Sequence, residues 1–365
     1  MNNLSKPFNA RRAIVIMMIF ICVITAAAVL KIASSVILPF TIAVLLAFVM
    51  FPLIKVMDKI KCPRILSILL VVIVIISGMY LFGMVLFTSG KMIMISNQID
   101  QYGEKFQTIY SQIAPLFDLS NNEELSIWQN LWGQEAIRNF VRNFTITFSN
   151  NSLRFISSAI LVVLFMVFIL LEANYFKDKL ITAFEDRISR IDNIGNEIIS
   201  QVSRYLGAKF LISLANGIIF AVSFYFVGLE FALVWGVVQF LLNFIPTLGS
   251  IVAGVGISLF ALIQFWPEPA PIIIIVAIIL AVNMLCNIFD PRIIGNHVGI
   301  SPLIILVSLS IWGYIWGFAG MVISVPMTVI IKIICENIPF MEPVSILISS
   351  RKSVKARLND VLDRR

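Results

Sequence analysis

The 365-residue chain is 59% apolar against 13% charged, with a mean hydropathy of +0.98. That leaves too little polar surface to coat a soluble globule and predicts a polytopic membrane protein. The net charge of +7 comes from Lys and Arg in the loops between hydrophobic runs and in the C-terminal tail, so it reads as membrane topology and excludes a nucleic-acid footprint.

Arg11-Arg12 precede an apolar run over 13–30 that ends on Lys31 and leads almost at once into a second run over 36–56. Ala26-Ala27-Ala28 has the look of a signal-peptide cleavage site, but the run is longer than a usual signal core, so an uncleaved first span is predicted. Lys55, Lys59, Lys61 and Arg64 then put the second loop in the cytoplasm, and a third span over 65–87 leads back out. Residues 1–87 are thus the N-terminal spans. Residues 88–152, with Asp100, Glu104, Glu123, Glu124 and Glu135, form a water-facing helical insert on the extracytoplasmic side. In it Met92, Ile95, Ile99, Tyr102, Phe106, Ile109 and Ile113 recur at steps of three and four until Pro115. Such a narrow stripe packs on a neighbouring helix around Ile137, Phe140, Val141 and Phe144, or on a second copy of the chain.

Residues 153–208 hold a fourth span, about 155–171, and a cytoplasmic amphipathic helix. Its apolar face is Ile181, Phe184, Ile188, Ile191, Ile198, Val202 and Tyr205, opposite charges of both signs, and it is expected to lie along the membrane surface. The core, 209–337, alternates two spans, 210–227 and 272–289, with two interrupted hairpins, 231–264 and 303–334. The first hairpin breaks at Asn243 to Gly249; the second breaks at Trp312-Gly313 and again at Gly317 to Gly320. Each half-hairpin falls short of the roughly twenty residues of a perpendicular span, so re-entrant hairpins fit, although a tilted pair that crosses twice also satisfies the pattern. Entered from opposite faces they would be inverted repeats, the arrangement that puts a solute site at the midplane. This gives an all-α protein of about six full spans plus two broken hairpins, with both termini and the basic tail, 338–365, in the cytoplasm.

The breaks rest on Pro246, Gly249, Pro302, Gly313, Gly317, Gly320 and Pro326. Proline removes a backbone donor and glycine loosens the helix, so clustering them at membrane depth frees polar groups that only a protein-lined cavity can satisfy. Close packing and kinking are the plainer roles for the same residues. Intramembrane polar side chains are mostly neutral amides: Asn216, Gln239, Asn243, Gln264, Asn283 and Asn287. Gln239 and Asn243 are one turn apart, and Asn283, Asn287 and Asp290 share one helix face at i, i+4 and i+7. Amides donate and accept without charge, which suits a small uncharged solute, while the alternative role is to cross-link helices. The candidate solute pathway is Gln239, Asn243, Asn283, Asn287 and Asp290; Asn216 and Gln264 read better as cross-links. Asp290 is either a proton or cation site or an ion pair with Arg292.

Metal and enzyme chemistry find no foothold. Cys22, Cys62, Cys286 and Cys335 have no Cys-x-x-Cys spacing, and the lone His297 sits in a polar loop. Ser89-Gly90-Lys91 lacks the preceding glycine and following hydroxyl of a phosphate loop. No cofactor, metal or nucleic acid is expected; the partners are the lipid bilayer and a small-molecule solute.

The motifs Leu241-Leu242-Asn243-Phe244-Ile245-Pro246-x-x-Gly249-Ser250, Asp290-Pro291-Arg292-x-x-Gly295, Ile311-Trp312-Gly313 and Gly317-x-x-Gly320-Met321-x-x-Ser324-Val325-Pro326, in that order, resemble the autoinducer-2 exporter family. The likeness is strongest over 209–337, and before that it is one of layout. It implies a bacterial inner-membrane transporter, a homo-oligomer (a pentamer), and export of a small quorum-sensing signal, with sodium or proton exchange as the alternative within the same fold.

Overall fold

The computed structural model describes residues 10–95, 105, 108, 109, 112, 157–246, 248–294, 299–351 and 354, apart from 174, 177, 180, 181 and 184–187. Most of the predicted insert, His297 and the last part of the basic tail, 352, 353 and 355–365, therefore lie outside the described residues. The helices are α1 (Ala10–Ile32), α2 (Ser34–Lys59), α3 (Arg64–Ile95), α4 (Ser157–Ala173), α5 (Ile188–Val227), α6 (Ala232–Leu242), α7 (Leu248–Phe265), α8 (Pro269–Ile294), α9 (Pro302–Asn337) and α10 (Glu342–Ile348). Among the described residues every regular element is helical, and α2, α3, α5, α7, α8 and α9 are long and apolar enough to cross a membrane. Shorter apolar helices add to them in α1, α4 and α6. The all-α polytopic expectation is met, with each predicted span found inside a helix.

Three apolar clusters hold these helices together. Ala43, Ala47 and Ile54 of α2 meet Ile68 and Val71 of α3 and Met166 and Leu170 of α4. Arg64, at the start of α3, donates to the Leu170 carbonyl at 2.6 Å. A second cluster joins α1, α2 and the first half of α5 to α9 through Leu45, Val202, Tyr205, Trp312, Val329 and Ile333. The third joins the last half of α5 to α7 and α8 through Phe220, Phe224, Ile257, Ile275 and Ile279. α5 is the wall that both hairpins share.

The sequence reading of α5 needs correction. The expected surface helix and the following span are one helix of 40 residues, roughly 60 Å long. No proline interrupts it, and its apolar stripe finds protein rather than a membrane surface: Val202 and Tyr205 are buried, with Ile194, Ile198 and Leu206 packed beside them on the α9 cluster. The helix α8 likewise runs through Pro291 to Ile294, so that proline does not end it.

Both interrupted segments fold as hairpins. Between α6 and α7 the chain turns at 243–246, and a Cβ placed on Gly249 would stand 1.7 Å from the Leu242 carbonyl oxygen. In α9 the only non-helical residue is Gly317, at φ 62° and ψ −141°, a conformation that favours glycine. The second expected break, at Trp312-Gly313, is absent; both residues belong to the first arm. The arms close so tightly that a Cβ on Gly320 would lie 1.9 Å from the Trp312 carbonyl oxygen, and one on Gly313 would lie 2.9 Å from Met321 Cγ. Each hairpin thus uses a glycine in its second arm to receive a carbonyl from its first.

The two hairpins enter from opposite ends of α8. α7 reaches α8 through 266–268, so the base of the first hairpin lies at the start of α8. α9 begins after the far end of α8, where Ser301 donates its amide to the Ile348 carbonyl at 2.9 Å and Ser350 donates to the Gly299 carbonyl at 2.7 Å. The base of the second hairpin is clamped there. Its tip reaches the last turn of α1, where Trp316 Nε1 donates to the Leu30 carbonyl at 3.0 Å and Lys31 Nζ stands 3.6 Å over the Tyr314 ring.

Candidate functional site

The first hairpin meets α5 along a seam of small residues. A Cβ on Gly236 would stand 2.6 Å from both the Gly217 carbonyl oxygen and Ala221 Cβ, and one on Gly217 would stand 2.8 Å from the Gly236 carbonyl oxygen. Only glycine lets the two backbones approach so closely, and such crossings are how helices gain dispersion energy where lipid removes the hydrophobic incentive. Ser213, Asn216, Gln239 and Asn243 are all buried at this seam. Asn243, 4% exposed, donates Nδ2 to Ser213 Oγ at 3.0 Å. From α8, Cys286 Sγ lies 2.8 Å from Asn216 Oδ1 and donates to it. Gln239 is 1% exposed, and among the described residues neither its Nε2 nor its Oε1 has a hydrogen-bond partner, nor does the buried Asn216 Nδ2.

Of the predicted pathway residues, Gln239 and Asn243 are therefore buried at the α5/α6 seam. Asn283 is half-buried, one turn before Cys286 on α8. Asn287 and Asp290 lie on the same continuous helix, which keeps the three on one face by register, but the side chains of 287–294 lie outside the description. Gln264 does what a cross-link does. Its Nε2 donates to the Gly228 carbonyl at 2.9 Å and its Oε1 accepts the Glu230 amide at 2.9 Å, so one side chain holds the α5–α6 turn to the end of α7. Of the break residues, Gly249 and Gly320 close the two hairpins, Gly313 lies against Met321, Gly317 turns the second, Pro246 lies in the turn of the first, Pro302 opens α9, and Pro326 is buried in its second arm.

The second hairpin carries its own polar knot. The Ser308 and Thr328 hydroxyls hydrogen-bond across the arms with their oxygens 2.5 Å apart, and whichever of them does not donate to the other can donate to the Ser324 carbonyl, 3.1 and 2.8 Å from the two. Further along the second arm, Lys332 Nζ lies 3.6 Å from Glu336 Oε1, with the two side chains 10% and 17% exposed. Sequence reasoning passed over Ser213, Cys286, Lys332 and Glu336. The signals were present: Ser213, Asn216 and Gly217 share a face of α5, and Lys332 and Glu336 stand at i, i+4 inside an apolar run.

Two hairpins entering from opposite ends against one shared wall, with Ser213, Asn216 and Lys209 buried along it, define the molecule as a polytopic α-helical membrane transporter. A model of the AI-2E family transporters matches residues 14–340. The chain belongs to that family. It is 31% identical over 348 residues to a candidate transport protein of Borreliella burgdorferi, covering 94% of this chain and 92% of that one. It is 30% identical over 326 residues to a candidate transport protein of Haemophilus influenzae, covering 87% and 91%. To the AI-2 transport protein TqsA of Escherichia coli it is 27% identical over 325 residues, covering 88% and 91%.

Proposed function

We propose that the chain exports autoinducer-2, or a small polar solute like it, across the bacterial inner membrane. The observation that carries this reading is the pair of hairpins with bases at opposite ends of α8, sharing α5 as a wall whose buried polar side chains beyond Lys209 are Ser213 and Asn216, a hydroxyl and an amide. The solute path runs past Gln239, Asn243, Asn283, Asn287 and Asp290. The name of the E. coli relative supports the choice of solute. The Lys and Arg bias of the short loops supports cytoplasmic N- and C-termini, and the family resemblance supports assembly with further copies of the chain into a pentamer.

A second reading, exchange of sodium or another cation for protons, draws on the buried Lys332–Glu336 pair and on Asp290. One experiment separates the two: flux of autoinducer-2 through the purified chain in liposomes, with and without a pH gradient, beside empty liposomes. Flux above the empty control, reduced by Asn243→Ala in a protein that still folds, is the expected result. Absence of autoinducer-2 flux together with sodium–proton exchange refutes export and leaves the second reading.

A further inference from the structure

Among the described residues, three buried polar atoms at the α5/α6 seam have no hydrogen-bond partner: Asn216 Nδ2, Gln239 Nε2 and Gln239 Oε1. Buried amides are almost always paired, and each one left unpaired carries a desolvation cost, so their retention asks for a reason. Contacts across the seam set the register. Gly217 faces Gly236 and Phe240, Ala221 faces Gly236, and Ser213 faces Asn243, so the helices run antiparallel. At 100° per residue, Asn216 lies to one side of the Ser213–Gly217–Ala221 line and Gln239 to one side of the Gly236–Asn243 line. In an antiparallel pair these offsets fall on the same edge of the contact, within one turn along the axis. α8 lies on that edge, because Cys286 reaches Asn216 there.

We infer that Asn216 and Gln239 are the paired recognition groups of a closed solute site among α5, α6 and α8, and that its ligand is a small neutral molecule bearing several hydroxyls. The inference rests on the export reading and adds to it a site, a residue outside the predicted pathway and a chemical class. Two free amide donors and one free acceptor match a molecule whose hydroxyls both donate and accept. A metal cation would find a single oxygen among the three. A carboxylate would gain two donors and meet Gln239 Oε1 as a repelling acceptor. Lys209, buried one turn before Ser213, is already engaged in an interaction of its own. Asn243 and Ser213 satisfy each other and form the floor of the site, and the Gly217–Gly236 contact is the part of the wall that must separate for entry.

The test uses the full chain in liposomes, with two four-carbon polyhydroxy probes: erythritol, which is neutral, and threonate, which carries a carboxylate. Uptake is followed by light scattering, and autoinducer-2 flux is measured on the same preparations. Gln239→Leu and Asn216→Leu are compared with wild type, and thermal unfolding in detergent is recorded for all three. Expected are erythritol uptake above empty liposomes, no threonate uptake, and at least a tenfold loss of erythritol and autoinducer-2 flux in each variant. The unfolding temperature of Gln239→Leu should equal or exceed that of wild type, since leucine removes an unpaired buried group without breaking a bond. Wild-type flux of both solutes in both variants overturns the inference and leaves export standing. Lower thermal stability of Gln239→Leu overturns it as well, by making the amide structural. Threonate uptake in place of erythritol overturns the chemical class, and osmotic water flow with erythritol excluded identifies a water site instead. If wild type carries neither erythritol nor autoinducer-2, the export reading fails and takes the inference with it.

Discussion

Gly249→Ala is the sharpest probe of the first hairpin. The added Cβ would lie 1.7 Å from the Leu242 oxygen, 2.5 Å from its carbonyl carbon and 3.3 Å from its Cα, all backbone atoms that no rotamer change can move aside. Reaching even 3.0 Å from the oxygen requires the arms to part by 1.3 Å. Overpacking of a close-packed site costs about 1–3 kcal/mol where side chains can adjust, and with backbone on both sides the cost should reach about 3 kcal/mol or more. Gly207→Ala supplies the control. That glycine lies within α5 with nothing within 4 Å of the built Cβ, so alanine there should stabilise by roughly 0.5–1 kcal/mol through helix propensity alone. The two variants differ in sign, which cancels errors common to detergent unfolding. Thermal unfolding followed by circular dichroism, with limited proteolysis as a second measure, reads both. Equal stability of Gly249→Ala and wild type would refute the closed hairpin and with it the role given to the second-arm glycines.

Four further outcomes follow from the contacts. Gln264→Leu strands the Glu230 amide and the Gly228 carbonyl, and thermal unfolding should register a loss of about 3 kcal/mol. In a background without the native cysteines, Ser308→Cys with Thr328→Cys should oxidise to an intrachain disulfide seen as a mobility shift on gels, because the native oxygens are 2.5 Å apart; failure to cross-link would mean that the arms of α9 are not paired in this register. Trp316→Phe removes the bond to the Leu30 carbonyl and should cost about 1 kcal/mol, whereas Trp316→Ala should cost about 3 kcal/mol or more. Lys105 Nζ donates to the Gln264 carbonyl at 2.5 Å, and Trp266 Nε1 donates to Gln112 at 2.9 Å. Lys105→Met with Trp266→Phe should therefore speed proteolytic cleavage near these positions about tenfold.

Hydropathy made the helices legible because a span must be both long and apolar, and each run from 13 onward lies in a helix. It could not tell where a helix stops once the membrane is left behind. The amphipathic stretch before Phe210 carries no proline and simply continues α5, and its apolar stripe was read as lipid-facing because the sequence does not reveal that α9 covers it. Proline and glycine marked both hairpins, with Pro246 in the turn of the first and the glycines carrying the fold-back of the second. Gly317 turns and Gly320 receives a carbonyl, while Trp312-Gly313 stays helical because what Gly313 offers is space for Met321 rather than a bend. At the candidate site, Gln239 and Asn243 were legible as costly amides in an apolar run. Ser213 and Cys286 were not, since a hydroxyl can bond back within its own helix and a lone thiol passes for an apolar side chain. Their meaning appears only when the antiparallel crossing of α5 and α6 brings them together.

The distribution of bonds also says where motion is cheap. The second hairpin is held at its base by backbone pairing with 348–350, across its arms by the Ser308–Thr328 pair, and at its tip by Trp316 and Lys31. The first hairpin is closed on itself by Gly249 and fixed at its base by Gln264, yet the hydrogen bond described between its tip and α5 is the single one from Asn243 to Ser213. Beside that bond the seam is packing alone, Gly217 against Gly236 and the Phe210 ring edge-on to Phe240 at 5.8 Å, where separation forfeits dispersion contacts of about 0.1–0.2 kcal/mol each and strands no backbone group. Each hairpin is thus stiff internally, and the extensive joint between α5 and α6 that encloses Gln239 and Asn216 is held by packing rather than by a network of hydrogen bonds. A tip that leaves Ser213 would expose the unpaired amides without unfolding either hairpin, which is the condition a solute site must meet if it is to open and close in every transport cycle.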